Sequence, residues 1–268
     1  MINRGTYNLL GVQIAAVDYE GALEAIMSAA CERRGFGVSA LAVHGVMTGR
    51  LDRTHRHRLN QLEMIVPDGQ PVRWGLNLLH GAELKDRVYG PTLMLMTCQR
   101  AAEAGIPIFL FGGQSDLLQR LRERLISFYP NLQIAGLRPS KFRQLEPAEK
   151  QELIQEILDS GAGITFVGLG CPRQEVWTYE FRQQLSMPVL AVGAAFNFHA
   201  GLLPQAPARL QALGLEWLFR FVKEPVRLWR RYLLLNPLYL TMLFLQWTRL
   251  RRYNPSDTSA PTTEILYG

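Results

Sequence analysis

Short apolar runs alternate with amphipathic ones along most of the chain. Five runs read as buried strands: Ser39–Val43, Met64–Val66, Ile106–Phe111, Ile164–Val167 and Val189–Val192. Each is continuous in apolar or small residues and most are bounded by Gly or Pro, the pattern of strands covered on both faces. Between them the period lengthens. Leu93–Ala104, Leu117–Ser127 and Pro147–Asp159 read as helices, and Leu117, Leu118, Leu121 and Leu125 share one face of the second. Ser160-Gly161 closes the third as a helix stop ahead of a strand. Strand-helix-strand repetition at this spacing predicts an α/β fold, a parallel sheet with right-handed crossovers and flanking helices. The stretch 254–268 is rich in Ser, Thr and Pro and is expected to be a disordered tail.

The strand ends raise the question of chemistry. Met64-Ile65-Val66 stops at Pro67, and Asp68-Gly69 follow. Ligands of open α/β sheets bind beyond the carboxyl ends of the strands, so a carboxylate there is well placed to act. Pro-Asp-Gly is also a common turn, and this stretch alone leaves both readings open. Two more strands run into glycine turns: FLFGGQSD (109–116), carrying Gly112 and Gly113, and FVGLGCPRQE (166–175). Both leave room for a phosphate or nucleotide to approach the backbone. Neither is a dinucleotide fingerprint, because Arg173 takes the third glycine position after Gly168 and Gly170. The chain holds no GxxxxGK[ST], GxSxG or DxD either. NAD(P) oxidoreductase and P-loop chemistry therefore lose their support.

Composition narrows the setting. A chain of 268 residues, 48% hydrophobic and 19% charged, can bury a sizeable core. Cys31, Cys98 and Cys171 lie far apart, which argues for a reducing compartment and against structural zinc. The N-terminal stretch carries polar and acidic residues within its apolar run and makes a poor signal peptide, so a cytoplasmic location is expected. The five histidines are scattered. His55 and His57 stand two apart in an expected helix, Leu51–Gln61, and read as solvated charges on different faces. No metal site and no cofactor are expected.

The charge is local. From Arg220 to Arg252 eight Lys or Arg face one acid, Glu224, more than the whole net charge of +6. Such a basic end on a neutral body suggests an anionic partner: phosphates, lipid headgroups or nucleic acid. Within GLEWLFRFVKEPVRLWRRY, the spacing puts Arg220, Arg227 and Arg230 on one helical face, suited to a diphosphate. A solvated basic face and a break at Pro225 are the competing readings. Tyr232 to Trp247 is strongly apolar and flanked by arginines, but it is short for a span and holds Asn236 and Pro237. A segment lying at the membrane interface fits it better. Deletion after about Arg231 is accordingly expected to leave a soluble core.

Taken together, LNQLEMIVPDGQPV, RVYGPTL, IFLFGG, FVGLGCPRQEVW, GAAFNFHAG and LGLEWLFRFVKEPVRLWRRY resemble the WecG/TagA/CpsF family of bacterial glycosyltransferases over roughly residues 40 to 232. The resemblance implies a Rossmann-like core, 1–215, and a basic, membrane-associating helical appendage, 216–253. It implies an inverting, metal-independent transfer from a UDP-sugar to a polyprenyl-diphosphate-linked sugar acceptor at the inner face of the cell membrane. Asp68 matches the family's proposed general base. Arg220, Arg227 and Arg230 match arginines assigned to the donor diphosphate, and Arg87 and Gln174 match pocket positions. Association into homo-oligomers is a family expectation that no pattern here supports, and nucleic acid is not an expected partner.

Two departures stand out. Where many members carry Thr-x-Asn, this chain has Ala40 and Ala42, which removes a hydroxyl and an amide: either His44 or Thr48 replaces them, or the acceptor sits differently, or the enzyme is impaired. The usual GAFDF is GAAFNF here, with Asn197 at the acidic position. The alternative reading is a catalytically impaired membrane-surface module that binds a nucleotide or a partner.

Overall fold

A computed structural model gives the fold for residues 1–207, 209–210 and 216–268, with the side chain of Arg227 outside the description. An antiparallel hairpin opens the chain, β1 (Asn3–Leu9) and β2 (Val12–Val17), followed by α1 (Tyr19–Cys31). Then come β3 (Phe36–Leu41), α2 (Val43–Leu51), α3 (Arg53–Asn60), β4 (Met64–Pro67), α4 (Gln70–His80) and α5 (Gly90–Ala104). The second half runs β5 (Ile108–Phe111), α6 (Ser115–Phe128), β6 (Ile134–Arg138), α7 (Pro147–Asp159), β7 (Ile164–Val167), α8 (Arg173–Phe181), β8 (Pro188–Ala191) and α9 (Ala195–His199). Beyond these lie α10 (Glu216–Lys223), α11 (Pro225–Trp229), a π-helical stretch (Arg230–Leu235) and α12 (Asn236–Trp247).

The six strands β3 to β8 form one parallel sheet in the order β4-β3-β8-β7-β5-β6. The expected strands Met64–Val66 and Ile164–Val167 hold almost to the residue. The first begins earlier than its apolar run and ends at Leu41, because Val43 already belongs to α2. The sixth, Ile134–Arg138, is a half-buried edge strand that was not anticipated; its Ile-Ala-Gly-Leu run is short and holds only two large apolar side chains. The N-terminal hairpin was also not anticipated. Its two-residue turn, Leu10-Gly11, has positive φ at both positions, as turns matching the strand twist require.

Apolar side chains fill both faces of the sheet. Ile26, Leu93, Leu110, Phe166 and Leu190 belong to one cluster; Ile65, Val72, Leu76 and Val46 to another, with Phe109, Trp177 and Phe181 in a third. Trp177 stacks between Phe111 and Phe181.

Two expectations are corrected. His55 is buried, not solvated, and desolvation pushes its pKa down to about 4, leaving it neutral. The stretch 254–268 is not a loose tail. Asp257 pairs with Arg53 and the buried Arg56, the carboxylate of Glu180 accepts from Ile265 N and Leu266 N, and Leu266 packs in the third cluster. Specific polar partners and the buried Leu266 together fix a segment otherwise rich in Ser, Thr and Pro. The apolar run 232–247, expected at a membrane interface, also packs against the core. Tyr239 and Leu243 of α12 are buried beside Leu9 and Leu76, and Tyr239 Oη donates to Pro71 O at 2.8 Å. Gly75 makes room, since a Cβ there would stand 2.7 Å from that hydroxyl. No helix among the described residues is long and apolar enough to cross a membrane.

Candidate active site

The turns after β3, β4, β5, β7 and β8 all open on the carboxyl edge of the sheet. Three adjoining cavities follow that edge. The largest, about 460 Å3, is bordered by Gly113, Gly168, Arg173 and Asn197. The middle one, about 290 Å3, shares Gly168, Leu169 and Asn197 with it and reaches Gln174, Asp68, Arg220 and Arg231. A third of about 150 Å3 shares Asp68, His44, Arg220 and Arg231 and extends to Arg87, Glu216 and Trp217.

Asp68 stands where the last two cavities meet. Its backbone N–H donates to Val66 O at 3.0 Å, and Gly69, at φ +97°, turns the chain into α4. Only glycine adopts that φ without strain, so the stretch is a tight turn that also sets Asp68 at the cavity edge. The carboxyl borders open space, yet surrounding protein pushes its pKa up to about 7 by desolvation. Arg87 opposes that rise, Glu216 adds to it, and Arg220 and the N–H of Gly90 oppose it.

Glu216, the first residue of α10, organises this corner. It forms an ion pair with Arg87 and accepts from Tyr89 Oη at 2.7 Å, while the Arg87 guanidinium lies 4.4 Å from the Tyr89 ring centre. Tyr89 N in turn donates to Tyr19 Oη at 2.9 Å. Sequence reasoning missed Glu216: the arginines around it drew the attention, and its partners lie far away in the chain. Its one signal was a lone acid at the head of a basic amphipathic helix.

The other expected residues divide. Gln174 is buried, with Oε1 accepting from Gly170 N at 3.1 Å and Nε2 donating to Glu175 Oε1 at 2.9 Å. Glu175 also accepts from Ser39 Oγ at 3.1 Å, and burial raises its pKa. Gly113 lines the largest cavity. Gly112 is structural, since a Cβ there would lie 2.9 Å from the Gly168 backbone. His44 lines two cavities, and its Nδ1 has no hydrogen-bond partner among the described residues. Burial first, then Arg231 and His55, lower its pKa to about 4, so it is neutral at pH 7. Thr48 borders none of the three cavities, and its Oγ1 donates to His44 O at 2.9 Å. Ala40 and Ala42 both line the middle cavity beside Asp68.

The arginine series is rearranged. Arg220 faces the cavities, its guanidinium 5.5 Å from the Phe198 ring centre. Arg230 is exposed beside Trp229, and Arg231 lines the cavities instead. The side chain of Arg227 lies outside the described residues. Spacing assumed one continuous α-helix, whereas the helix breaks at Glu224-Pro225, resumes as α11 and changes to π-helical pitch at Arg230. Both changes rotate the later side chains about the axis.

Among the described residues no group of three or more His, Cys, Asp or Glu is arranged to hold a metal ion. The arrangement can take a proton at Asp68 and meet negative charge at Arg220 and Arg231. Residues 7–253 match the model described as the glycosyl transferase WecG/TagA/CpsF family. The chain belongs to that family, and is thus a glycosyltransferase with a nucleotide-sugar donor and a sugar acceptor.

Proposed function

We propose that this member of the WecG/TagA/CpsF family is an inverting, metal-independent transferase. On this reading it moves a hexosyl or N-acetylhexosaminyl group from a UDP-sugar to a polyprenyl-diphosphate-linked sugar in cell-surface polysaccharide synthesis. The observation that carries the reading is Asp68, with a pKa near 7, beside a cavity that Arg220 and Arg231 also line. The Asp68 carboxylate takes the proton of the acceptor hydroxyl as its oxygen attacks C1 of the donor sugar. The C1–O bond to the diphosphate breaks on the opposite face, and its electron pair leaves with UDP. Guanidinium groups balance the charge that develops there.

The nucleotide lies along the glycine-lined cavity, the diphosphate in the middle one, and the acceptor enters past Trp217. Trp217 lines that entrance, and the helices from α10 to α12 carry exposed apolar side chains: Trp217, Val222, Val226, Trp229, Leu233, Leu240, Phe244 and Trp247. With Arg249, Arg251 and Arg252 close by in sequence, this surface suits the interface of an anionic membrane, where a lipid-linked acceptor is found.

The test is UDP release from a panel of UDP-sugars, in detergent and EDTA, with a short polyprenyl-diphosphate-sugar acceptor. Acceptor-dependent UDP at C1-inverted product supports the reading; release that requires added metal refutes its metal-independence. Ala40 and Ala42 at the cavity wall favour the second reading, a nucleotide-binding module without turnover. UDP binding with no transfer to any acceptor would select it.

A further inference from the structure

Residues 254–268 lie beyond the stretch that the family model matches, yet part of them reaches the largest cavity. The segment Glu264–Gly268 is tied down along its length. Lys150 Nζ meets Glu264 at 2.6 Å, and Glu180 accepts from Ile265 N at 2.8 Å and Leu266 N at 2.9 Å. Leu145 N donates to Leu266 O at 2.7 Å, Gln144 and Tyr267 form an antiparallel bridge, and Gly268 N donates to Arg143 O at 3.0 Å. Main-chain bonds thus fix the backbone on either side of Tyr267. Its side chain lines the cavity, and the Arg173 guanidinium stands 5.6 Å from its ring centre.

The chemistry of this cavity differs from that around Asp68. Leu117, Phe142 and Tyr267 give it apolar and aromatic surface, and Gln144 and Asn197 add amides that donate and accept. Arg143 is held by Glu149 at 2.6 Å, which offsets its charge for any phosphate. Flat apolar faces with a hydrogen-bonding edge describe a nucleobase better than a sugar or a diphosphate.

We infer that Glu264–Gly268 completes the donor site, and that Tyr267 is the residue against which the nucleobase packs. The inference rests on the donor orientation proposed above, with the base at the glycine-lined end.

Calorimetric titration of UDP into the full chain tests it, with Tyr267→Ala and Tyr267→Phe alongside the wild type. Tyr267→Ala should weaken UDP roughly tenfold, within the range for loss of one base-stacking partner. The donor KM should rise in parallel, with less change in kcat. Tyr267→Phe should bind close to wild type, because the ring carries the contact. Should alanine lower the melting midpoint, Tyr267→Leu refills the volume without an aromatic face and carries the same expectation. Unchanged UDP affinity in the alanine or leucine variant overturns the inference. So does tighter binding, which would make the segment a plug. A wild type that binds neither UDP nor any other nucleoside diphosphate sinks the donor reading itself, and the role of Tyr267 with it.

Discussion

Asp68 carries two opposed consequences of one environment. Surroundings that lift its pKa to about 7 make it a competent base near neutrality and a poorly solvated charge above it. Because the folded pKa exceeds the unfolded value, the native state holds the proton more tightly, and stability falls as pH rises from about 4 to about 7. Asp68→Asn should therefore lose at least roughly 10²-fold in turnover. At pH 8 it should also melt higher than the wild type. A lower midpoint in a scan at that pH would contradict the desolvation account.

Glu216 should set where that base titrates. Around Asp68 stand Arg87, Tyr89, Glu216, Arg220, His44 and Arg231, with Tyr19 behind Tyr89. Glu216→Gln removes a negative neighbour and frees Arg87 to attract the Asp68 carboxylate, and both effects lower its pKa. The acid limb of kcat/KM, expected near pH 7 in the wild type, should move to lower pH. A rate that drops equally at every pH would leave Glu216 only a structural role. Asp68 itself was legible from the sequence because a carboxylate after a buried strand is a local signal. Glu216, Arg87 and Tyr89 were not legible as a cluster, because 127 to 129 residues separate the partners.

At the scale of elements, α12 faces two ways. Tyr239 and Leu243 anchor it, and Gln246 accepts from Leu10 N at 2.9 Å and donates to Asn8 O at 3.1 Å. Leu240, Phe244 and Trp247 point away from the protein and are exposed. Tyr239→Ala should cost about 3–5 kcal/mol in denaturant unfolding, the range for emptying a large aromatic site. Leu240→Glu with Phe244→Glu should leave stability within about 1 kcal/mol while abolishing sedimentation with anionic vesicles. Vesicle binding that survives the pair would move the membrane contact elsewhere. The apolar run announced itself in the sequence, but its division into an anchored and an outward face did not. That division depends on Leu9 and Leu76, which come from β1 and α4.

Across the whole molecule, the C-terminal third closes structure that the first two thirds leave open. Tyr239, Leu243 and Tyr253 belong to the same core cluster as the N-terminal hairpin, and Asp257 meets the buried Arg56. Truncation after Arg231, expected from sequence to leave a soluble core, should instead uncover apolar surface and leave Arg56 without that carboxylate. A cooperative melt of the truncated chain near the wild-type midpoint would restore the modular view. The sequence by itself determined the layered α/β class, the positions of most sheet strands along the chain and the placing of Asp68 and the glycines at strand ends. These follow from periodicity and turn chemistry, which act over a few residues. Only the tertiary structure decided that Arg231 rather than Arg230 reaches the cavities, that Glu216 pairs with Arg87, and that 254–268 is packed. Each of those depends on helix breaks or on partners distant in the chain, and neighbouring residues encode neither.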